Sequence, residues 1–89
     1  MMNRPTKTGI AGTLESNDCQ VTVEPTNDDS LVIQIESVVK ARFGKQIEMA
    51  VMDTCKQLEL VGATVFVDDK GALDFTIKAR VETAVKRSL

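Results

Sequence analysis

With 89 residues, 43% of them hydrophobic and 27% charged, the chain is long enough for one packed core, too short for a second, and unlike a disordered segment in composition. It has no histidine, tyrosine or tryptophan and only three phenylalanines, which removes imidazole base catalysis, histidine-containing metal sites and the aromatic platforms of single-stranded nucleic-acid binding. The net charge of −2 hides a polarity: Thr8 to Val39 holds Glu15, Asp18, Glu24, Asp28, Asp29 and Glu36 with no Lys or Arg, whereas the C-terminal stretch holds Lys78, Arg80, Lys86 and Arg87 against Glu82, so the first third should repel phosphate backbones and favour a basic partner surface.

Residues 1–8 are polar and patternless, a terminus expected to fray. Arg4 and Lys7 have no apolar stretch behind them, and no window approaches the roughly 18 apolar residues of a membrane span. A soluble cytoplasmic protein with reduced thiols is expected, Cys19 and Cys55 being two small buried hydrophobes without C-x-x-C spacing or a metal cluster. Val21–Glu24 alternates, is rich in β-branched residues and stops at Pro25, which predicts a strand. Pro25–Ser30 is dense in turn formers, and Leu31–Glu36 predicts a second strand with Leu31, Ile33 and Ile35 on one face; the two are expected to form a hairpin.

Ser37 is the expected N-cap of a helix running to about Leu60, with Val39, Phe43, Ile47, Ala50, Val51, Cys55 and Leu58 as its apolar stripe and Gly62 as its stop signal. Ala63–Val67 predicts a third strand, closed by a solvated turn at Asp68-Asp69-Lys70-Gly71 that lacks the ligand pattern of a calcium loop. The tail reads two ways. Phe75, Ile77, Ala79 and Val81 alternate like a strand, which would become helix after about Val81, whereas Leu73, Ile77, Val81, Ala84 and Val85 fit one helix face; the longer helical pattern, with Asp74 at its start and Lys86 and Arg87 at its end, favours helix. The strand–helix–strand unit in the middle requires a crossover, expected to be right-handed. The fold class is α+β, a small mixed sheet of hairpin plus crossover strand packed by two helices in one domain.

No nucleophile–base pair, phosphate-cradling glycine loop or internal repeat is present, so a hydroxyl that carries chemistry here is one modified by another enzyme rather than one that attacks a substrate. Two serines compete. Asp29-Ser30-Leu31 matches the triplet that bears phosphopantetheine in ordinary acyl carrier proteins, but there the serine opens a helix, and here an alternating β-branched run follows. Ser16 lies in Ala11-Gly12-Thr13-Leu14-Glu15-Ser16-Asn17-Asp18, an acidic, turn-like stretch.

That segment resembles the serine motif of the acyl carrier protein (gamma subunit) of citrate lyase. A second matching block lies at Val67-Asp68-Asp69-Lys70-Gly71-Ala72-Leu73-Asp74, and Phe43-Gly44 with the strand before it is also similar to that family, so the resemblance spans nearly the whole chain. One departure is Asn17, where the family pattern often has glycine; asparagine is the non-glycine residue that best tolerates a left-handed backbone. The chain also ends soon after Arg87, without the longer extension of some members.

The resemblance implies a carrier, not an enzyme: Ser16 would bear 2'-(5''-phosphoribosyl)-3'-dephospho-CoA in phosphodiester linkage, its thiol holding acetyl and citryl thioesters. It also implies as partners the alpha (CoA-transferase) and beta (citryl lyase) subunits and a prosthetic-group transferase. Glu15 and Asp18 would then discourage the arm's phosphates from lying on the carrier. The carrier subunit of malonate decarboxylase, which uses the same type of group, and an unmodified interaction subunit are the alternatives.

Overall fold

In the computed structural model, which describes residues 2–89, the chain runs β1 (Gly9–Gly12), β2 (Cys19–Pro25), β3 (Leu31–Ser37), α1 (Lys40–Gln57), β4 (Ala63–Asp69) and α2 (Asp74–Ser88). The sheet order is β1-β2-β4-β3. β2 pairs antiparallel with both β1 and β4, and β3 pairs parallel with β4. The α+β class with a four-stranded mixed sheet and two helices is therefore as expected, and the tail is helical from Asp74.

Alternation explains how this sheet buries one face. The registers set Ala11, Val21, Val67 and Ile35 side by side in one row and Val23, Val65 and Ile33 in the next, and these inward positions join Ile47, Val51 and Cys55 of α1 and Ile77, Val81 and Val85 of α2 in one core. Each fully buried Val or Ile contributes about 1.5–3 kcal/mol relative to exposure. Both helices cover the same face. The outward row Ile10, Thr22, Phe66 and Gln34 faces away from them.

Several local expectations are corrected. The segments 21–24 and 31–36 are strands but do not pair: β4 enters between them, and the hairpin is β1–β2, closed by residues 13–18. The turn-rich 25–30 stretch instead carries the chain across β4 to the sheet edge. Ser37 ends β3 rather than capping α1; its hydroxyl donates to Asp69 Oδ2 at 2.8 Å and accepts from the Val39 N–H at 3.1 Å, and the cap position is Val39.

The stop of α1 comes at Gln57 rather than Leu60, in a Schellman arrangement. Glu59 takes φ +52, its N–H bonds to Lys56 O, and the Leu60 N–H bonds to Cys55 O. Gly62 serves a different need: at φ +67, a Cβ there would lie 2.3 Å from the Arg4 guanidinium and 2.9 Å from Asp28 O. Asp69 is the last residue of β4 and completely buried, not part of a solvated turn. Its carboxylate accepts from Ser37 and, at 2.9 Å, from the Ala72 N–H.

Of the residues ahead of β1, expected to fray for want of any periodicity, Met1 lies outside the described residues, and Asn3, Thr6 and Lys7 are held by backbone hydrogen bonds. Asn3 exchanges hydrogen bonds with Glu59 and Val61, and the Thr6 and Lys7 N–H groups bond to Ser88 O. Such anchors leave no hydrophobic pattern in a sequence.

Candidate functional site

Ser16 lies at the tip of the β1–β2 hairpin. The Asp18 N–H bonds back to Glu15 O at 3.1 Å, so Glu15-Ser16-Asn17-Asp18 is a β-turn, and Asn17 at φ +67 takes the left-handed third position of a type II turn. Asparagine thus fills the role glycine usually has. Leu14, Glu15, Ser16 and Asn17 are all exposed, and the Ser16 hydroxyl has no partner among the described residues.

What fixes this turn comes from far along the chain. The Asn17 N–H bonds to Lys70 O and the Lys70 N–H to Asp18 O, each at 2.9 Å, which ties the hairpin tip to the β4–α2 connection. Asp18 is the centre of a second tie. Its carboxylate accepts from Arg80 Nε and Nη2 at 3.0 Å each, from Thr13 Oγ1 at 2.7 Å and from the Cys19 N–H at 2.7 Å. Only 15% of its side chain is exposed. The Arg80 guanidinium above all, with the Thr13 and Cys19 donors, holds the Asp18 carboxyl down at about 2, and Arg80 is in turn raised.

Gly12 closes the loop at its base. Its φ is +89, and a Cβ there would fall 1.9 Å from Cys19 O, so the two strands meet at a distance only glycine permits. The blocks 11–18 and 67–74, separated in sequence, are thus neighbours in space around Ser16. The charge picture differs from expectation in one respect: Asp18 is neutralised by Arg80, so Glu15 is the free acid beside Ser16.

Ser30 stands at the other end of β2, about 20 Å away at about 3.3 Å per strand residue. It precedes a strand rather than a helix, and its hydroxyl donates to Asp28 Oδ1 at 2.5 Å. The two thiols are free and buried. Burial first, and for Cys19 the nearby Asp69 and Asp18 charges, push Cys19 up to about 12 and Cys55 up to about 11. Neither can present a thiolate to a substrate. Among the described residues no three His, Cys, Asp or Glu side chains are placed to hold a metal ion, and no helix is long and apolar enough to cross a membrane. Sequence reasoning singled out Ser16 as a candidate and missed the two ties that hold its turn. Arg80 counted only as one of four C-terminal cations, because a contact spanning 62 residues has no periodic signature.

This small α+β domain, with Ser16 exposed on a turn tied to Lys70 and Arg80, has acyl carrier proteins as its relatives. Residues 6–88 match the family model for acyl carrier proteins described as malonate decarboxylase delta subunit. The chain is 51% identical over 90% of its length, and 85% of the relative's, to the citrate lyase acyl carrier protein of Fusobacterium nucleatum. It is 48% identical over 92% of its length, and 80% of the relative's, to that of Streptococcus mutans. Among solved structures, one chain of a Pseudomonas malonate decarboxylase hetero-tetramer in complex with malonate superposes with TM-score 0.82 over 96% of this chain and 87% of that one, at 18% identity; at that identity the likeness is one of fold. The chain belongs to the citrate lyase acyl carrier protein family, and is a non-catalytic carrier rather than an enzyme.

Proposed function

We propose that this protein is the carrier subunit of a citrate lyase, and that Ser16 is where its prosthetic group, 2'-(5''-phosphoribosyl)-3'-dephospho-CoA, is attached. The observation that carries the assignment is the free Ser16 hydroxyl at the apex of a turn clamped by Lys70 and Arg80. A clamped turn offers a transferase one fixed geometry, so little ordering entropy is lost on binding. Attachment exchanges the Ser16 O–H bond for an O–P bond while the P–O bond between the activated donor's phosphorus and its leaving group breaks, and the proton and the leaving group pass to solvent. With no other acid free at the tip, Glu15 alone repels the resulting negative charge.

The group fits this site, because nothing around the hydroxyl obstructs it, whereas the buried thiols leave the protein unable to form an accessible thioester itself. When attached, the group supplies the terminal thiol that holds acetyl and citryl while citrate is cleaved to oxaloacetate and acetate. The protein's own contribution is to hold the attachment point outward and rigid, so that encounters with the alpha and beta subunits become effectively intramolecular. The setting is cytoplasmic, where the transferase and both subunits operate.

The Pseudomonas neighbour and the family model's description favour one second reading, the carrier of a malonate decarboxylase. The identities of about half the residues to citrate lyase carriers place it behind the first. The deciding experiment is intact and peptide mass spectrometry after co-production with the prosthetic-group transferase, followed by assay of the loaded protein with citrate lyase alpha and beta subunits. An adduct of the size of the phosphoribosyl-dephospho-CoA group, lost in Ser16→Ala and kept in Ser30→Ala, with citrate cleavage restored, is the expected result. An adduct lost only in Ser30→Ala, or none with an active transferase, overturns the assignment and in the latter case leaves an interaction subunit.

A further inference from the structure

The protein has three aromatic side chains, and none is in the buried core: Phe75 is 71% exposed, Phe43 40% and Phe66 36%. Two of the three line one groove of about 470 Å³. Val39, Phe43 and Ile47, at helical spacing, form its wall at the start of α1, and Leu73 and Phe75 form the wall that leads into α2. An aromatic ring left in water forfeits a large burial term, which a second ring stacked on it recovers. The groove also has the composition of a small-ligand site, an apolar lining with few polar side chains. Those are the Gln46 amide and the Asp74 carboxylate, both exposed and without a partner among the described residues.

Charge narrows what the groove takes. No Lys or Arg is in the lining, so a phosphate or a carboxylate would meet Asp74 with nothing to offset the repulsion. A neutral, flat ring with an amino donor suits the same lining. It stacks on phenylalanine, its amino group donates to a carboxylate, and a glutamine amide pairs with the edge of an adenine. Position supplies the source of that ring. Gly71 also lines the groove, and a Cβ on it would stand 3.7 Å from Asn17 Oδ1. Asn17 directly follows Ser16, and the backbone bonds between Asn17, Lys70 and Asp18 hold this end of the groove against the carrier turn. In the group assigned above to Ser16, only a phosphate and a pair of pentoses separate the serine oxygen from the adenine; the diphosphate and the pantetheine thiol lie beyond it. So short a tether gives the base an effective concentration on the order of millimolar beside the groove.

We propose that this groove is an adenine subsite, which receives the base of the arm carried by Ser16, with Phe43 and Phe75 supplying the stacking surface and Gln46 and Asp74 the polar contacts; the proposal rests on the carrier reading above. The occupant is the base and not the far end of the arm, because the thiol has to leave the carrier to reach an active site and a citryl group would bring carboxylates to Asp74. An anchored base shortens the moving part of the arm to its diphosphate and pantetheine. It also starts that part from one fixed side of the hairpin tip, which narrows the tether's search.

The test is NMR spectroscopy of the loaded protein, with the adenine followed through its ring protons. The parent is compared with Phe75→Ser, Gln46→Ala and, on the open sheet face, Phe66→Ser. Intact mass confirms Ser16 loading and thermal melting confirms the fold in each. In the parent, the adenine protons are expected to contact the Phe43 and Phe75 rings and to resonate away from their positions in free dephospho-CoA. The ratio of docked to free base should fall about fivefold or more in Phe75→Ser, by a smaller factor in Gln46→Ala, and stay within about twofold in Phe66→Ser. Adenine resonances in the loaded parent that coincide with those of free dephospho-CoA would overturn the subsite while leaving Ser16 as the carrier residue. So would groove contacts made instead by the pantetheine methyl groups or by a second copy of the chain, a docked fraction that Phe75→Ser leaves unchanged, or an equal fall in Phe66→Ser. Absence of any Ser16 adduct overturns the carrier reading itself, and the subsite with it.

Discussion

Replacing Asp18 by Asn removes one charge at the base of the carrier turn while keeping shape and volume. In the parent, four donors converge on this carboxylate, and its pKa falls from the ordinary 3.8 to about 2. At about 1.4 kcal/mol for each tenfold change in proton affinity, the full linkage is worth about 2–3 kcal/mol. The guanidinium opposite is 39% exposed, so solvent screens part of the attraction and about 1–1.5 kcal/mol is the expected share. An asparagine keeps one acceptor for the Cys19 N–H, but its own N–H groups meet those of Arg80.

Asp18→Asn should therefore melt about 4–12 °C lower than the parent at pH 7, at about 4–8 °C per kcal/mol for a domain of this size. Because the folded-state pKa lies below the unfolded one, this contribution is complete above about pH 5 and lost as pH falls toward 2. The difference between parent and variant in urea or thermal unfolding should close over that window, since Asn does not titrate. Ser16 loading by the transferase should slow in step with the loosened turn. A difference under about 0.3 kcal/mol at pH 7, or one that stays constant down to pH 3, would refute the clamp.

Gly12→Ala should lose at least about 3 kcal/mol in equilibrium unfolding, because the φ of +89 and a Cβ 1.9 Å from Cys19 O combine backbone strain with a clash against a strand that cannot move; near-parent stability would mean the hairpin base is looser than described. Both thiols should be silent to a chromogenic disulfide reagent at pH 8 and titrate fully in denaturant, given their burial and pKa values of about 12 and 11; stoichiometric labelling of the native protein would contradict the closed core.

How much of this the sequence revealed depends on the range of the interaction. Elements with a local signature were legible: the alternation of Val21–Glu24 and Leu31–Glu36, the three-and-four spacing of Ile47, Val51 and Cys55, and the Leu73–Val85 stripe that turned out helical. Strand pairing was not. A six-residue run of turn formers suits a hairpin loop and a crossing over one intervening strand equally, and only β4's inward Val65 and Val67, which need neighbours on both sides, decide between them. β1 escaped notice because Gly9-Ile10-Ala11-Gly12 has almost no strand propensity and is placed by its partners. The same holds at the site. Ser16 was visible from its surrounding motif, whereas Asp18 with Arg80, and Asp69 with Ser37, are pairings of ordinary surface residue types whose meaning arises only after folding.

The placement of β4 has a temporal consequence. The hairpin that presents Ser16 lies near the start of the chain, yet β2 lacks its second neighbour, and the turn lacks both its ties, until residues 63–80 are available. During synthesis these residues emerge well after the hairpin. The turn therefore acquires its shape only in a chain that has already placed β4 and α2, which makes the geometry around one serine a certificate that this domain has folded.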